Sequence, residues 1–285
     1  MNPQNKLNYS RKNTEKSKKF RSFIISFIAF VIVLGAISLL MFMKSLNFNL
    51  KNLLPSSEES TSENTLQQST PGQNLTGGIS VAVLCGNTDG DLSFAFLIKS
   101  DYEKMKAEVV YIPITLTASY SGVTSSLNDH FKNSGVDSYV QAFEDYSGID
   151  IDKYIFVNEV QFKNFMAKFK DVTVDIPQDI NGGNSVGLIL NKGPQNLTSD
   201  LLLKYIKYAD NFEKTKAFCN MLSVVFEQKN SESLDKLFSY LANNSQTDIS
   251  IIDFTDEKEN INAFMSAQGE FIPIETLSQV IEGTK

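Results

Sequence analysis

The sequence predicts an α/β domain, helices packed on a sheet, standing behind one membrane-spanning segment. Three observations carry this reading. A long uncharged apolar run lies near the N-terminus. A polar stretch without aromatic residues follows it. From Ile79 onward, short apolar runs alternate with segments of helical periodicity, the pattern of helices covering a sheet.

Ser22 to Met43 contains no charged residue. Its 22 residues would reach roughly 33 Å as a helix, enough to cross a hydrocarbon core. It is apolar on every face, unlike the striped helix of a soluble protein. No small-x-small cleavage pattern follows, and Met43-Lys44-Ser45-Leu46 reads as a stop, so an uncleaved anchor is expected. Seven cations precede the run (Lys6, Arg11, Lys12, Lys16, Lys18, Lys19, Arg21), and only Lys44 and Lys51 closely follow it. The positive-inside rule then makes residues 1–21 a cytoplasmic basic tail and 22–43 a single-pass transmembrane helix. Residues 44–78 become an extracytoplasmic linker, and residues 79–285 a domain outside the cell membrane. Within the linker, Pro55 to Gly78 is rich in Ser, Thr, Gln and Glu; it cannot bury enough apolar surface to offset chain entropy and is expected to be a flexible tether.

The formal net charge of −7 hides an asymmetry. Seven cations against the lone Glu15 give the first 22 residues +6, which leaves −13 for the rest. An acidic domain lacks the cations that displace counterions from nucleic acid, so no nucleic-acid partner is expected. Two cysteines, Cys85 and Cys219, form no zinc or disulfide framework, and whether they pair with each other stays open. One histidine, His130, excludes a multi-histidine metal site, and no nucleophile-elbow motif accompanies it. His130 reads as an ordinary surface or core residue.

The elements follow in order. Ser80 to Leu84 is a short apolar strand, ended by the turn cluster Gly86-Asn87-Thr88-Asp89-Gly90. Phe94 to Lys99 and Val109 to Ile112 are further strands. Gln141 to Tyr146 closes a helix that Gly148 ends. Tyr154 to Val157 reads as a strand and Val160 to Phe169 as a helix. Val172, Val174 and Ile176 alternate with polar residues until Pro177 stops the run. Helices are expected over Ser199 to Tyr208 and Phe212 to Gln228. In the second, Phe218, Leu222, Val225 and Phe226 recur at helical spacing, with Cys219 beside that stripe as a buried core thiol. Asp89 and Asp91 offer hard oxygen ligands for a divalent cation, though Asn, Asp and Gly are equally what a solvated turn uses.

Several ordered segments resemble the LytR-CpsA-Psr family of bacterial cell-envelope proteins. Ser80 to Gly86 resembles its opening strand and glycine. Tyr111-Ile112-Pro113 resembles its Ser-Ile-Pro strand end, and Leu127-Asn128 followed by Gly135 its Ile-Asn and later glycine. Ser147 to Tyr154 is similar to its Gly-Ile-x-Ile-Asp-x-Tyr stretch, and Val172 to Pro177 to its Val-x-Val-x-Val-Pro strand. Lys192 to Leu197 and Asn244 to Phe254 resemble its later turn and tail. The resemblance runs from about residue 80 to 255. It implies a mixed central sheet flanked by helices in an αβα arrangement. It implies transfer of a phosphate-linked glycopolymer from a polyprenyl carrier to peptidoglycan. It also implies arginines and an aspartate-bound divalent cation, usually Mg2+, on the pyrophosphate, with the lipid tail in an apolar cleft.

The chain departs from that pattern where the phosphate would sit. The family's Arg-Ser-Asp is Asp91-Leu92-Ser93 here, and its Arg-Asp after Ile-Pro is Ile114-Thr115. Its Tyr-x-Arg-x-Arg is Tyr205 to Ala209, and its Asp-x-x-Arg-x-x-Arg-Gln is Asp210 to Ala217. Six arginine positions become Asp91, Ile114, Lys207, Ala209, Glu213 and Lys216, and their summed charge falls from +6 to 0. Lysine is a poor substitute for a bidentate guanidinium. Lys207, Lys214 and Lys216 remain as candidate phosphate ligands, Asn128 as a cleft residue, and Asp89, Asp91 and Asp210 as candidate metal ligands. Mg2+ is expected only if the chain is active. Three functions stand open: a non-catalytic binding or scaffold relative in glycopolymer assembly, a divergent phosphotransferase, and an unrelated extracellular sensor. The expected partners are the membrane and a polyprenyl-phosphate lipid or cell-wall glycopolymer. Protease added to intact cells should remove residues 79–285; their protection would reverse the topology.

Overall fold

The computed structural model describes residues 77–182, 187–227 and 231–284. The expected tail, membrane span and nearly all of the linker lie outside them. Among the described residues, no helix is long and apolar enough to cross a membrane.

Twelve strands are described. They are β1 (Ser80–Gly86), β2 (Leu92–Asp101), β3 (Lys106–Tyr111), β4 (Thr117–Tyr120), β5 (Val123–Ser126) and β6 (Lys153–Asn158). After them come β7 (Val172–Ile176), β8 (Ile180–Asn181), β9 (Ile189–Leu190), β10 (Gly193–Leu197), β11 (Gln246–Thr247) and β12 (Glu270–Pro273). The helices, in chain order, are α1 (Leu127–Ser147), α2 (Glu159–Met166), α3 (Ser199–Tyr208), α4 (Asn211–Phe226), α5 (Ser231–Asn244), α6 (Ile251–Ser266) and α7 (Leu277–Thr284).

Six strands form the central sheet in the order β11-β6-β1-β2-β3-β12. It is mixed: β1 runs parallel to β6 and β12 parallel to β3, while β2 is antiparallel to both its neighbours. Side chains alternate across the pleat and feed two cores. Ala82, Leu84, Ala95, Leu97 and Val110 meet Tyr139 and Phe143 of α1 and Val280 of α7. Cys85, Phe94, Phe96, Val109 and Tyr111 face the other way, toward α2, α3, α4 and the β7–β10 ribbon. The expected α/β sheet with helices on both faces is the observed one.

Local chemistry fixes the ends of the helices. Gly148 caps α1 in the left-handed region (φ 69°), and its N–H bonds to Glu144 O, as the glycine signal predicts. Gly135, at φ 82°, breaks α1 part-way, a conformation that a side chain would resist. Asn158 and Gln161 form a reciprocal capping box that starts α2. The helix expected to reach Phe169 ends at Met166, yet Phe169 still packs on Phe165 at 5.1 Å. Cys85 and Cys219 are both free and buried, which answers the pairing question. Burial pushes the Cys219 thiol up to about 12, so it is inert, as expected of a core cysteine. His130 is also buried, its Nε2 lying 3.2 Å from Ala118 O of the β4–β5 hairpin.

Phe143 lies fully buried in the α1 core. Phe143→Ala should therefore cost about 3–5 kcal/mol in urea denaturation; a loss under 1 kcal/mol would mean that this layer does not hold the sheet.

Candidate functional site: a paired charge cluster beside an apolar cavity

Strand directions bring the charged candidates to one end of the sheet. β1 and β6 finish there in parallel, β2 begins there, and β3 finishes there. The carboxyl ends of parallel strands are where open α/β sheets commonly bind ligands.

The turn between β1 and β2 is held by Asn87. Its side-chain oxygen accepts from the N–H groups of Asp89 (2.8 Å) and Asp91 (3.0 Å). Asp89 is left exposed on this turn. Asp91 and Asn128, singled out separately in the sequence, meet directly. Asn128 Nδ2 donates to Asp91 Oδ1 at 3.0 Å, and Asn128 Oδ1 accepts from Leu92 N at 2.7 Å. Lys132, one turn further along α1, adds its ammonium to the same Asp91 oxygen at 2.9 Å. Hydrogen bonds from Asn128 and Lys132 hold the Asp91 carboxyl below its usual range.

Two residues further, Ser93 Oγ donates to Glu159 Oε1. Glu159 is the first residue of α2, aimed by the capping box behind it. The same oxygen accepts from Lys207 Nζ of α3 at 2.6 Å. Partial burial works to raise the Glu159 carboxyl, but the hydrogen bonds from Lys207 and Ser93 outweigh it and leave it lowered. Cys85 stands close enough to feel both charges, and burial pushes its thiol far up.

The other candidates come from α4. Asp210 is its N-cap, and Asp210 Oδ1 accepts from the N–H groups of Phe212 (3.1 Å) and Glu213 (3.0 Å). Lys216 Nζ pairs with Glu213 Oε1 at 2.5 Å. The buried Tyr205 hydroxyl faces that same carboxylate, which with burial drives the phenol pKa up. Lys214 differs. It is half-buried, its Nζ lies 4.7 Å from the centre of the Tyr111 ring, and among the described residues it forms no carboxylate ion pair. Burial lowers its pKa, with Asp210 opposing.

A divalent cation fits this donor set poorly. The Ser93 hydroxyl is given to Glu159. Asp91 Oδ1 already holds an ammonium and an amide, and Asp210 Oδ1 two helix N–H groups. Among the described residues, no three His, Cys, Asp or Glu side chains converge as a metal-ligand group.

An apolar cavity of about 260 Å³ opens on the α4 face of the sheet. Val83, Ile98, Ile155, Leu222, Phe226 and Phe271 are among its walls. Val83, Ile98 and Ile155 remain partly exposed although they sit at core positions of the central strands. One aromatic layer separates cavity from charges. Phe162 and Phe218 line the cavity. Phe162 meets Phe94 edge-on at 5.5 Å, and Phe218 stacks on Phe96 at 4.1 Å. Phe96 in turn touches Tyr111 beneath Lys214, at 5.6 Å.

The LytR_cpsA_psr family model matches residues 95–285. The chain belongs to the LytR-CpsA-Psr family. TagV of Bacillus subtilis, named as a polyisoprenyl-teichoic acid–peptidoglycan teichoic acid transferase, is 23% identical over 178 residues. That match covers 58% of this chain but 44% of TagV, so the chain spans under half of that curated relative. The crystal structure of B. subtilis TagV superposes with a TM-score of 0.60 at 18% identity, over 74% of this chain and 96% of that one. A LytR-Csp2A-Psr enzyme from Actinomyces oris gives 0.55 at 16% identity, over 70% of this chain and 82% of that one. A structure of TagT bound to LIIa-WTA gives 0.51 at 16% identity, over 69% and 78%. These likenesses establish the LytR-CpsA-Psr fold, a mixed sheet between helices.

Lys132 and Glu159 were not among the residues picked out from the sequence, and Tyr111 was named only as part of a strand end. Lys132 had a signal, since it lies four residues after Asn128 and so on one helical face with it. Glu159 had none, because its partners Ser93 and Lys207 are 66 and 48 residues away.

The Lys214 pKa makes a signed prediction. A lysine depressed by folding binds fewer protons in the native than in the unfolded state, so it weakens the fold near neutrality and ceases to as pH rises past its unfolded value. Lys214→Met should raise the denaturation midpoint at pH 7, and its advantage should shrink toward pH 10. A variant less stable at every pH would make Lys214 a structural residue.

Proposed function

We propose that this LytR-CpsA-Psr protein is an envelope-anchored binder of polyprenyl-phosphate lipid or lipid-linked glycopolymer, with little or no transfer activity of its own. The apolar cavity carries the reading. A solvent-reachable hole at core positions forfeits dispersion contacts, and an unused one would be filled at a gain in stability. At about 260 Å³ it falls just short of ordinary small-ligand pockets, so it suits the leading isoprene units of a longer chain that continues outside. The residues before 77 would supply the anchor and tether inferred from the sequence, keeping the domain outside the cell beside the membrane that holds such lipids.

The charge cluster argues for weak transfer. Phosphoryl transfer spreads negative charge over oxygens that preorganised cations must neutralise. Here Lys132, Lys207 and Lys216 each already face a carboxylate. Among the described residues, half-buried Lys214 is the candidate left without a carboxylate ion pair. TagV is named as a transferase, and the family resemblance favours a second reading in which this chain also transfers, slowly, through Lys207, Lys214 and Lys216.

The test fills the cavity. Val83→Phe and Val225→Phe should abolish retention of a fluorescent polyprenyl phosphate by the full chain while the far-UV spectrum and denaturation midpoint hold. Retention equal to wild type would remove the cavity from the account. In parallel, wild type should give no polymer transfer above the rate without protein; turnover lost in Lys207→Ala would favour the second reading.

A further inference from the structure

The Glu159–Lys207–Ser93 arrangement has a consequence for headgroup choice, and it rests on the lipid-binding reading above. Glu159 Oε1 holds Lys207 Nζ at 2.6 Å and accepts the Ser93 hydroxyl as well. A phosphate that approached Lys207 would have to replace a carboxylate already in contact and then remain beside it. Every further negative charge on the headgroup meets the repulsion of Glu159 again. The cation left without a carboxylate, Lys214, is a single ammonium, a point charge suited to one phosphate group.

A divalent cation would normally offset the extra charge of a diphosphate. Several of the oxygens that could ligate one are committed elsewhere: Asp91 Oδ1 to Lys132 and Asn128, the Ser93 hydroxyl to Glu159, and Asp210 Oδ1 to the first turn of α4.

We propose that Glu159 is a specificity-determining residue: by occupying Lys207 it makes the cleft prefer a polyprenyl monophosphate over a polyprenyl diphosphate, and the headgroup is held without a divalent cation. Glu159 thus acts on the headgroup through Lys207 and through its own repulsion, not by contacting the lipid chain.

The experiment uses the full-length protein in nanodiscs of neutral lipid. Dissociation constants are measured for a polyprenyl monophosphate, the matching diphosphate and the uncharged polyprenol, with Mg2+ and with chelator. Wild type should bind the monophosphate at least as tightly as the diphosphate, and Mg2+ should change either value less than twofold. Glu159→Gln keeps the shape and an acceptor for Ser93 but frees Lys207. It should shift the diphosphate-to-monophosphate preference about tenfold toward the diphosphate, the factor expected for one regained charge-assisted contact. Lys207→Met added to Glu159→Gln should cancel that shift, which a general change in folding would not do. An unchanged ratio in Glu159→Gln, or wild-type binding of the diphosphate that requires Mg2+, overturns this proposal while leaving the lipid reading intact. Failure of all three ligands, polyprenol included, overturns the lipid reading and this proposal with it.

Discussion

The ion pair between Lys207 and Glu159 constrains how everything around it can be used. It joins α3 to the start of α2, and through Ser93 it ties both to the first residues of β2. A lysine in contact with a carboxylate offers a phosphate much less than a free one, because the phosphate must first compete with the charge already there. The same logic repeats at Asp91 with Lys132 and at Glu213 with Lys216. The end of the sheet where β1 and β6 finish is thus chemically charged but electrostatically closed on itself. Exposed pairs of this kind add little to stability, about 0–1 kcal/mol each. Their main effect is on what else can bind.

Behind that end the protein keeps something costly. A well-packed core tolerates few voids, yet an apolar cavity stands between the strands and α4, one aromatic layer from the charges. Lys214 repeats the theme on a smaller scale, a half-buried cation over Tyr111 whose charge burial disfavours. An unfilled apolar cavity and a disfavoured cation are two places where the fold departs from maximal stability, and such departures tend to mark sites of use. In the function proposed above, the cavity is the room for a lipid chain and the ion pairs are what weakens the grip on its phosphate.

The fold was readable where the sequence carries local signals. The apolar runs of β1 and β2, the period-2 alternation of β7, the glycine that ends α1 and the apolar stripe of α4 all stand where the residues place them. What was missed depends on distant partners. β12 becomes a strand by pairing in parallel with β3, more than 150 residues earlier in the chain, and its own sequence, Glu-Phe-Ile-Pro, is too short to announce it. Helix α5 did carry a signal, Leu234, Leu237, Phe238 and Leu241 at helical spacing, whereas α6 is polar enough that its apolar contacts are visible only in place. The candidate site divides the same way. The arginine positions came only from the family resemblance, and Asp91 and Asn128 were named, but nothing in the sequence joined them to each other. Lys132 and Glu159 reach Asp91 and Lys207 across 41 and 48 residues, and only the strand order brings them there.

The central claim is that a polyprenyl chain lies in the cavity beneath α4. It is tested most directly by photo-crosslinking with a polyprenyl phosphate whose leading isoprene unit, next to the phosphate, bears a photoreactive group, followed by peptide mass spectrometry on the full chain. The account predicts label on cavity-facing residues such as Leu222, Phe226 and Phe271. Label confined to the outer surface of the domain, or competed away by inorganic phosphate but not by excess polyprenol, would contradict it.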